Sequence, residues 1–147
     1  MKICLRQKKG NTAVLYRFNM SEQKPIKAKP KKNESALQRS CIKWFRLQYP
    51  NYSSLLFAIP NGGYRSPIEA AIIKGEGVLA GVADLFFSFP SSGYHGFYIE
   101  LKYEKGKQTP SQKDFQSAVT QVGYRYEVIN SLDDFMLSVN SYLKGIL

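Results

Sequence analysis

The sequence predicts an α/β domain, a small mixed β-sheet flanked by helices, and three observations carry that expectation. Two apolar runs, "GVADLFFSFP" and "FYIELK", are joined by the tight link "SSGYHG", which predicts an antiparallel hairpin. A helical stretch separates "FYIELK" from "YRYEVI", the kind of crossover that parallel neighbours need. Amphipathic segments stand at both ends of this strand-rich stretch, so the sheet has helices to bury its faces against.

The elements follow in order. "NESALQRSCIKWFRLQYP" sets Leu37, Cys41, Trp44 and Phe45 at helical spacing, with Asn33 as N-cap and Pro50 beyond the end. "SSLLFAIP" is a short apolar run closed by the turn "NGG", which predicts a strand over 55–59. "SPIEAAIIKGEG" carries its own punctuation. Ser66 caps it, Pro67 takes the first helical position, Glu69 completes a capping box and Gly75 stops it. The second and third strands come next, with Pro90 ending the former. Thr109, Pro110 and Gln112 then repeat the capping arrangement at a helix start. Phe115, Ala118, Val119 and Val122 form that helix's apolar stripe, and Gly123 its stop. "YRYEVI" is the fourth strand. "SLDDFMLSVNSYLKG" is a last helix, capped by Ser131, with Phe135, Val139, Tyr142 and Leu143 facing inward.

Charge divides the chain in two. Residues 1–32 hold ten Lys/Arg against one acid, Glu22, so nine of the ten net positive charges fall there. The expected organisation is a basic, flexible arm over 1–32 and one folded domain over 33–147. An arm of this kind is either solvated or in contact with phosphates, where it adds salt-sensitive, sequence-independent DNA affinity. Met20 opens a stretch that reads as an alternative start. Cys4 and Cys41 lack any ligand spacing and read as reduced thiols of an intracellular protein. No stretch approaches the roughly 18–20 apolar residues of a membrane span, and no signal-peptide core is visible, so no membrane partner is expected.

The site candidates begin with alternation. Tyr98, Glu100 and Lys102 share one face of "FYIELK", and Phe97, Ile99 and Leu101 share the other. Asp84 starts the neighbouring strand. In an antiparallel hairpin, the start of one strand and the end of the next meet at the same end of the sheet. Two carboxylates and a lysine suit metal-assisted phosphodiester hydrolysis. Paired carboxylates hold Mg²⁺ through hard oxygen ligands, and a nearby lysine orients a water or stabilises charge building on phosphate. From spacing alone, a surface pair on a half-exposed strand reads equally well.

The "AD" of Ala83 and Asp84, followed by "ELK" on the next strand, resembles the PD-(D/E)XK motif of the restriction-endonuclease-like superfamily. "PNGGYRS", "GVLAGVADLFFSFP", "GFYIELKYEKGKQTPSQ" and "VGYRYEVINSLDD", in this order, are similar to the VRR-NUC family of that superfamily over about residues 33–145. The resemblance implies an αβββαβ core, here with an inserted short helix. It implies Asp84 and Glu100 as ligands of Mg²⁺ or Mn²⁺, the main-chain carbonyl of Leu101 as a third, and Lys102 as the catalytic lysine. It further implies Glu34 as an additional acid and Gln112 as the glutamine beside the site. Ala83 stands where the superfamily's name has proline, a position that gives backbone shape and no ligand.

Gln38, one turn after Glu34, is expected to line the cleft, and Arg65, Lys105 and Lys107 to contact DNA. The turn at Asn61–Gly63 could offer amides to a phosphate. Tyr64, Tyr94 and Trp44 have the alternatives of stacking on bases or filling the fold, and His95 lies in the hairpin turn away from the chemistry. The expected function is a metal-dependent, structure-specific DNA endonuclease, cutting branched DNA and resolving four-way (Holliday) junctions as a homodimer. A role in DNA repair, in the cytoplasm of a bacterium or encoded by its phage, goes with it. A flap- or nick-directed nuclease and a non-catalytic DNA-binding protein of the same fold stand as alternatives.

Overall fold

The computed structural model describes residues 32–60, 66–104 and 106–144. Asn61–Gly63, Tyr64, Arg65 and Lys105 lie outside that set, as does the arm through residue 31. The elements run α1 (Lys32–Gln48), a 3₁₀ turn (Pro50–Tyr52), β1 (Leu56–Ala58), α2 (Pro67–Gly75), β2 (Leu85–Phe87), β3 (Phe97–Leu101), α3 (Pro110–Gln121), β4 (Arg125–Ile129) and α4 (Leu132–Leu143). One four-stranded sheet takes the order β1-β2-β3-β4. β1 and β2 pair antiparallel, β2 and β3 form the expected hairpin, and β3 runs parallel to β4. This is the mixed sheet that the hairpin link and the helical crossover predict.

The pleat sorts the sheet's side chains to two faces. Leu85, Phe87, Phe97, Ile99, Leu101 and Ile129 pack with Cys41 and Phe45 of α1 and with Phe135, Val139, Tyr142 and Leu143 of α4. Tyr98, Tyr126 and Val128 face the other way, onto Phe115 and Val119 of α3 and onto Ala83. Ring contacts tie the first layer together. Phe45 meets Phe87 edge to face at 5.1 Å, and Trp44 meets Tyr49 and Phe135 at 5.8 and 5.9 Å. Trp44 is therefore packing material. The guanidinium of Arg125 lies over the Phe97 ring at 5.0 Å and pairs with Glu127, which also accepts from Ser138 of α4.

Two details depart from the sequence reading, and a third lies beyond it. α1 already includes Asn33, so that residue sits inside the helix and Glu34 falls in its first turn, where a carboxylate complements the helix dipole. In α3 only Val119 is fully buried. Ala118 and Val122 are exposed, because the helix leans on the sheet through Phe115 and Val119, one turn apart. α2 forms with the full capping box between Ser66 and Glu69, yet buries no residue. Its Ile68 and Ile72, with Leu79 just beyond, are 74%, 54% and 59% exposed. Periodicity identifies such a helix but says nothing of what covers it.

Burial gives the fold an alkaline limit. The Cys41 thiol, enclosed between α1 and the sheet, is pushed by desolvation from 9.0 to about 12. The folded state thus holds a proton that the unfolded chain releases near pH 9. This stability is fully present below pH 9 and drains away as pH rises toward 12. Tyr49, Tyr98, Tyr126 and Tyr142 are raised by burial as well and act in the same direction above pH 10. Urea midpoints measured from pH 8 to 11 are expected to fall, and less steeply in Cys41→Ala. Parallel slopes in the two proteins would show that the thiol is not responsible.

Candidate active site

Three adjoining segments build the site on the α3 face of the sheet. The β2–β3 register sets Leu85 opposite Ile99, so that Asp84, one step before β2, comes opposite Glu100. The side chain of Asp84 accepts a 2.8 Å hydrogen bond from the amide of Leu101. A strand residue aims its N–H and C=O at the same neighbour. The carbonyl of Leu101 therefore faces the Asp84 side, as its proposed role as a ligand requires. Lys102 continues the ladder through its amide to the carbonyl of Ile129 at 2.9 Å, which holds the end of β3 against β4.

Glu100 is fully buried and Lys102 is 4% exposed. Lys102 Nζ and Gln112 Nε2 both donate to Oε1 of Glu100. Gln112 arrives there because it is the third residue of α3 and part of the capping box. Its Oε1 accepts from the amide of Thr109 at 2.9 Å, while the Thr109 hydroxyl accepts from the amide of Gln112 at 3.3 Å. One side chain thus caps its helix through oxygen and reaches the carboxylate through nitrogen. Gly81, at φ +89°, lets the segment leading to Asp84 lie directly on the backbone of Ser111 in the same helical turn. The loop after β3 covers Lys102 from the other side, where a Cβ on Gly106 would stand 3.3 Å from its Cδ.

The remaining candidates are placed as follows. Lys107 is exposed in the loop that leads into α3. Arg65 and Lys105 lie outside the described residues, so their expected DNA contacts have no structural account. Gln38 lines a shallow cavity along α1 with Ser35, Arg39 and Lys43. Glu34 is half-buried in the first turn of α1. Among the described residues no three or more His, Cys, Asp or Glu side chains form a group that could by themselves hold a metal ion. His95 sits at the opposite end of the sheet. Its amide donates to the carbonyl of Gly123, and its ring meets Tyr124 edge to face.

Tyr126 and Gln108 are residues that motif reading passes over. The Tyr126 hydroxyl lies 3.5 Å from Oε2 of Glu100 and 3.4 Å from Nε2 of Gln108. Burial, and then the Glu100 carboxylate, push the phenol well above its ordinary range, so it stays protonated. The missing signal was the register of the parallel pair, which the structure supplies. It pairs Tyr98 with Tyr126, so a tyrosine of "YRYEVI" had to share the face of Glu100.

Two carboxylates and a neighbouring carbonyl, backed by a lysine, are hard oxygen donors. They fit a Mg²⁺-like ion, which takes one or two protein carboxylates and keeps most of its waters. A mixed sheet between helices, with acids and a lysine at the shared end of its hairpin, defines a restriction-endonuclease-like α/β domain. A solved structure described as a VRR_NUC domain protein matches it with a TM-score of 0.68 and 27% identity, over 76% of this chain and 88% of that one. No family model and no curated protein matches the sequence. The resemblance carried by the sequence motifs thus holds in three dimensions, and the chain has the fold of a VRR_NUC domain protein.

Proposed function

We propose that this protein is a metal-dependent DNA endonuclease that cuts branched DNA, with four-way junctions as its preferred substrate. The observation that carries the reading is the burial of Glu100 and Lys102 as a hydrogen-bonded pair opposite Asp84. Burying two charges disfavours folding unless geometry compensates, and an apolar pair of similar volume is often at least as stable. A functional use accounts for such a pair better than stability does. The likeness to a VRR_NUC domain protein supports the same chemistry.

In this reading Asp84, Glu100 and the Leu101 carbonyl hold Mg²⁺ or Mn²⁺, which supplies Lewis-acid polarisation of the scissile phosphate and a more acidic water. Lys102 stabilises the negative charge that builds on the phosphoryl oxygens and orients the attacking water. Gln112 keeps Oε1 of Glu100 in place. Lys107, with Arg65, Lys105 and the basic arm, contacts the phosphate backbone, which makes binding salt-dependent. The exposed apolar residues of α2 support a homodimer, since a second copy would cover them and bring two sites to one junction. No helix among the described residues is long and apolar enough to cross a membrane.

The test is cleavage of labelled four-way junction, flap, splayed-arm and plain duplex DNA in Mg²⁺ or Mn²⁺, with Glu100→Gln beside the wild type. Paired symmetric cuts in the junction are expected, reduced by about 10³-fold or more in the variant, the loss that several kcal/mol of metal-derived stabilisation implies. Binding without cleavage of any substrate would favour the non-catalytic reading. Junction cleavage by a species that sediments as a monomer would remove the dimer.

A further inference from the structure

The two side-chain oxygens of Glu100 have different neighbours. Oε1 accepts from Lys102 and Gln112, and Oε2 faces Tyr126 of β4 at 3.5 Å. The Tyr126 hydroxyl in turn faces Nε2 of Gln108 at 3.4 Å, and that nitrogen lies 2.9 Å from Oε1 of Gln116 on α3. An amide nitrogen donates and never accepts. Its two protons therefore go to Gln116 and to the Tyr126 oxygen, which leaves the single phenolic proton for Glu100. The chain has one direction, from Gln108 through Tyr126 to the carboxylate. The last two contacts are long for hydrogen bonds, so they orient more than they bind. Gln108 also belongs to the loop that covers Lys102, so one residue joins that loop to the far side of Glu100.

We propose that Tyr126 is a positioning residue of the site: its hydroxyl, oriented by Gln108, fixes the Oε2 side of Glu100 while Lys102 and Gln112 fix Oε1. The inference rests on the metal-nuclease reading. Without the phenolic proton the carboxylate loses a hold on its Oε2 side, and its last torsion is less restrained. An ion bound through Glu100 then meets a less pre-organised ligand, whereas DNA held by lysines elsewhere is unaffected. Partners that orient metal ligands typically contribute 10–100-fold in metal affinity or activity.

The experiment is Mn²⁺ titration by calorimetry without DNA, on the wild type, Tyr126→Phe, Gln108→Leu and Glu100→Gln, followed by kcat and KM for junction cleavage. Tyr126→Phe keeps the ring that packs on Phe115 and removes only the hydroxyl. It is expected to weaken Mn²⁺ binding about 10-fold and to lower kcat at unchanged KM, with its melting temperature near that of the wild type. Gln108→Leu leaves the tyrosine in place and is expected to shift both quantities the same way by a smaller factor. It provides the answer should the Phe variant fold poorly. Wild-type Mn²⁺ affinity in both variants would overturn the proposal and leave the nuclease reading standing. A wild type that neither binds Mn²⁺ nor cleaves DNA would overturn the nuclease reading and this inference with it, and that result is visible before any variant is compared.

Discussion

Lys102→Met is expected to lower the unfolding free energy by about 3 kcal/mol, in addition to abolishing cleavage. Removing one member of a buried ion pair strands the other charge, a change that typically destabilises by about 3–5 kcal/mol. Glu100 has no exposed surface through which water could compensate. Gln112 and Tyr126 still face the carboxylate, which places the effect at the lower end of that range. The double variant Lys102→Met, Glu100→Gln carries no charge at either position and is expected to recover most of the loss while remaining inactive. Denaturant melts of the wild type, both single variants and the double variant give the coupling directly. Equal stability of Lys102→Met and wild type would mean that the pair is open to solvent in solution, contrary to the fold described above.

Gly81→Ala is expected to be the most damaging glycine-to-alanine change among the described residues. Gly81 has φ +89°, a conformation that L side chains rarely adopt. A Cβ there would stand 2.5 Å from both the carbonyl carbon and the oxygen of Ser111, and 2.8 Å from its Cβ. Neither side can yield cheaply, because Ser111 is backbone in the first turn of α3 and Gly81 lies three residues from Asp84. Strain of this kind is worth about 2–3 kcal/mol. The larger consequence is for chemistry. If α3 backs away, Gln112 leaves Glu100, and misplacement of about 1 Å in a catalytic constellation commonly lowers the rate by about 10²-fold. Gly75→Ala is the control, since nothing stands within 4 Å of a Cβ there and the backbone is not in the left-handed region. Thermal melts and cleavage rates of the two variants should differ sharply; matching behaviour would remove Gly81 from any part in arranging the site.

Much of this was legible in the sequence because the signals are local. Ser66 with Glu69, and Thr109 with Gln112, announce two helix starts, and both capping boxes form. The hairpin link places Asp84 and Glu100 at one end of the sheet by geometry alone, and the register agrees. What escaped depends on how distant segments meet. Tyr126 joins Glu100 only through the register of the parallel β3–β4 pair; the crossover predicts the pairing, but nothing in either strand specifies the register. Gln108 reads as a loop residue until its side chain is seen between Gln116 and Tyr126. The exposed apolar side of α2 is invisible to periodicity, which reports that a stripe exists and not whether the domain uses it.

The alternation along β3 has a meaning beyond catalysis. Its neighbours on both sides are strands, and its two faces are lined by the two core layers. A slip of one residue in such a strand exchanges every side chain between faces. Phe97, Ile99 and Leu101 on one side and Tyr98 on the other are all large and apolar or aromatic, so packing alone discriminates poorly between the two registers. Glu100 and Lys102 break that near-symmetry. Shifted by one, they would be driven without partners into the layer occupied by Cys41, Phe45 and the inner face of α4, while Leu101 took the place opposite Gln112. The two charges proposed to serve a metal and a phosphate therefore also tell the folding chain which way its central strand must face.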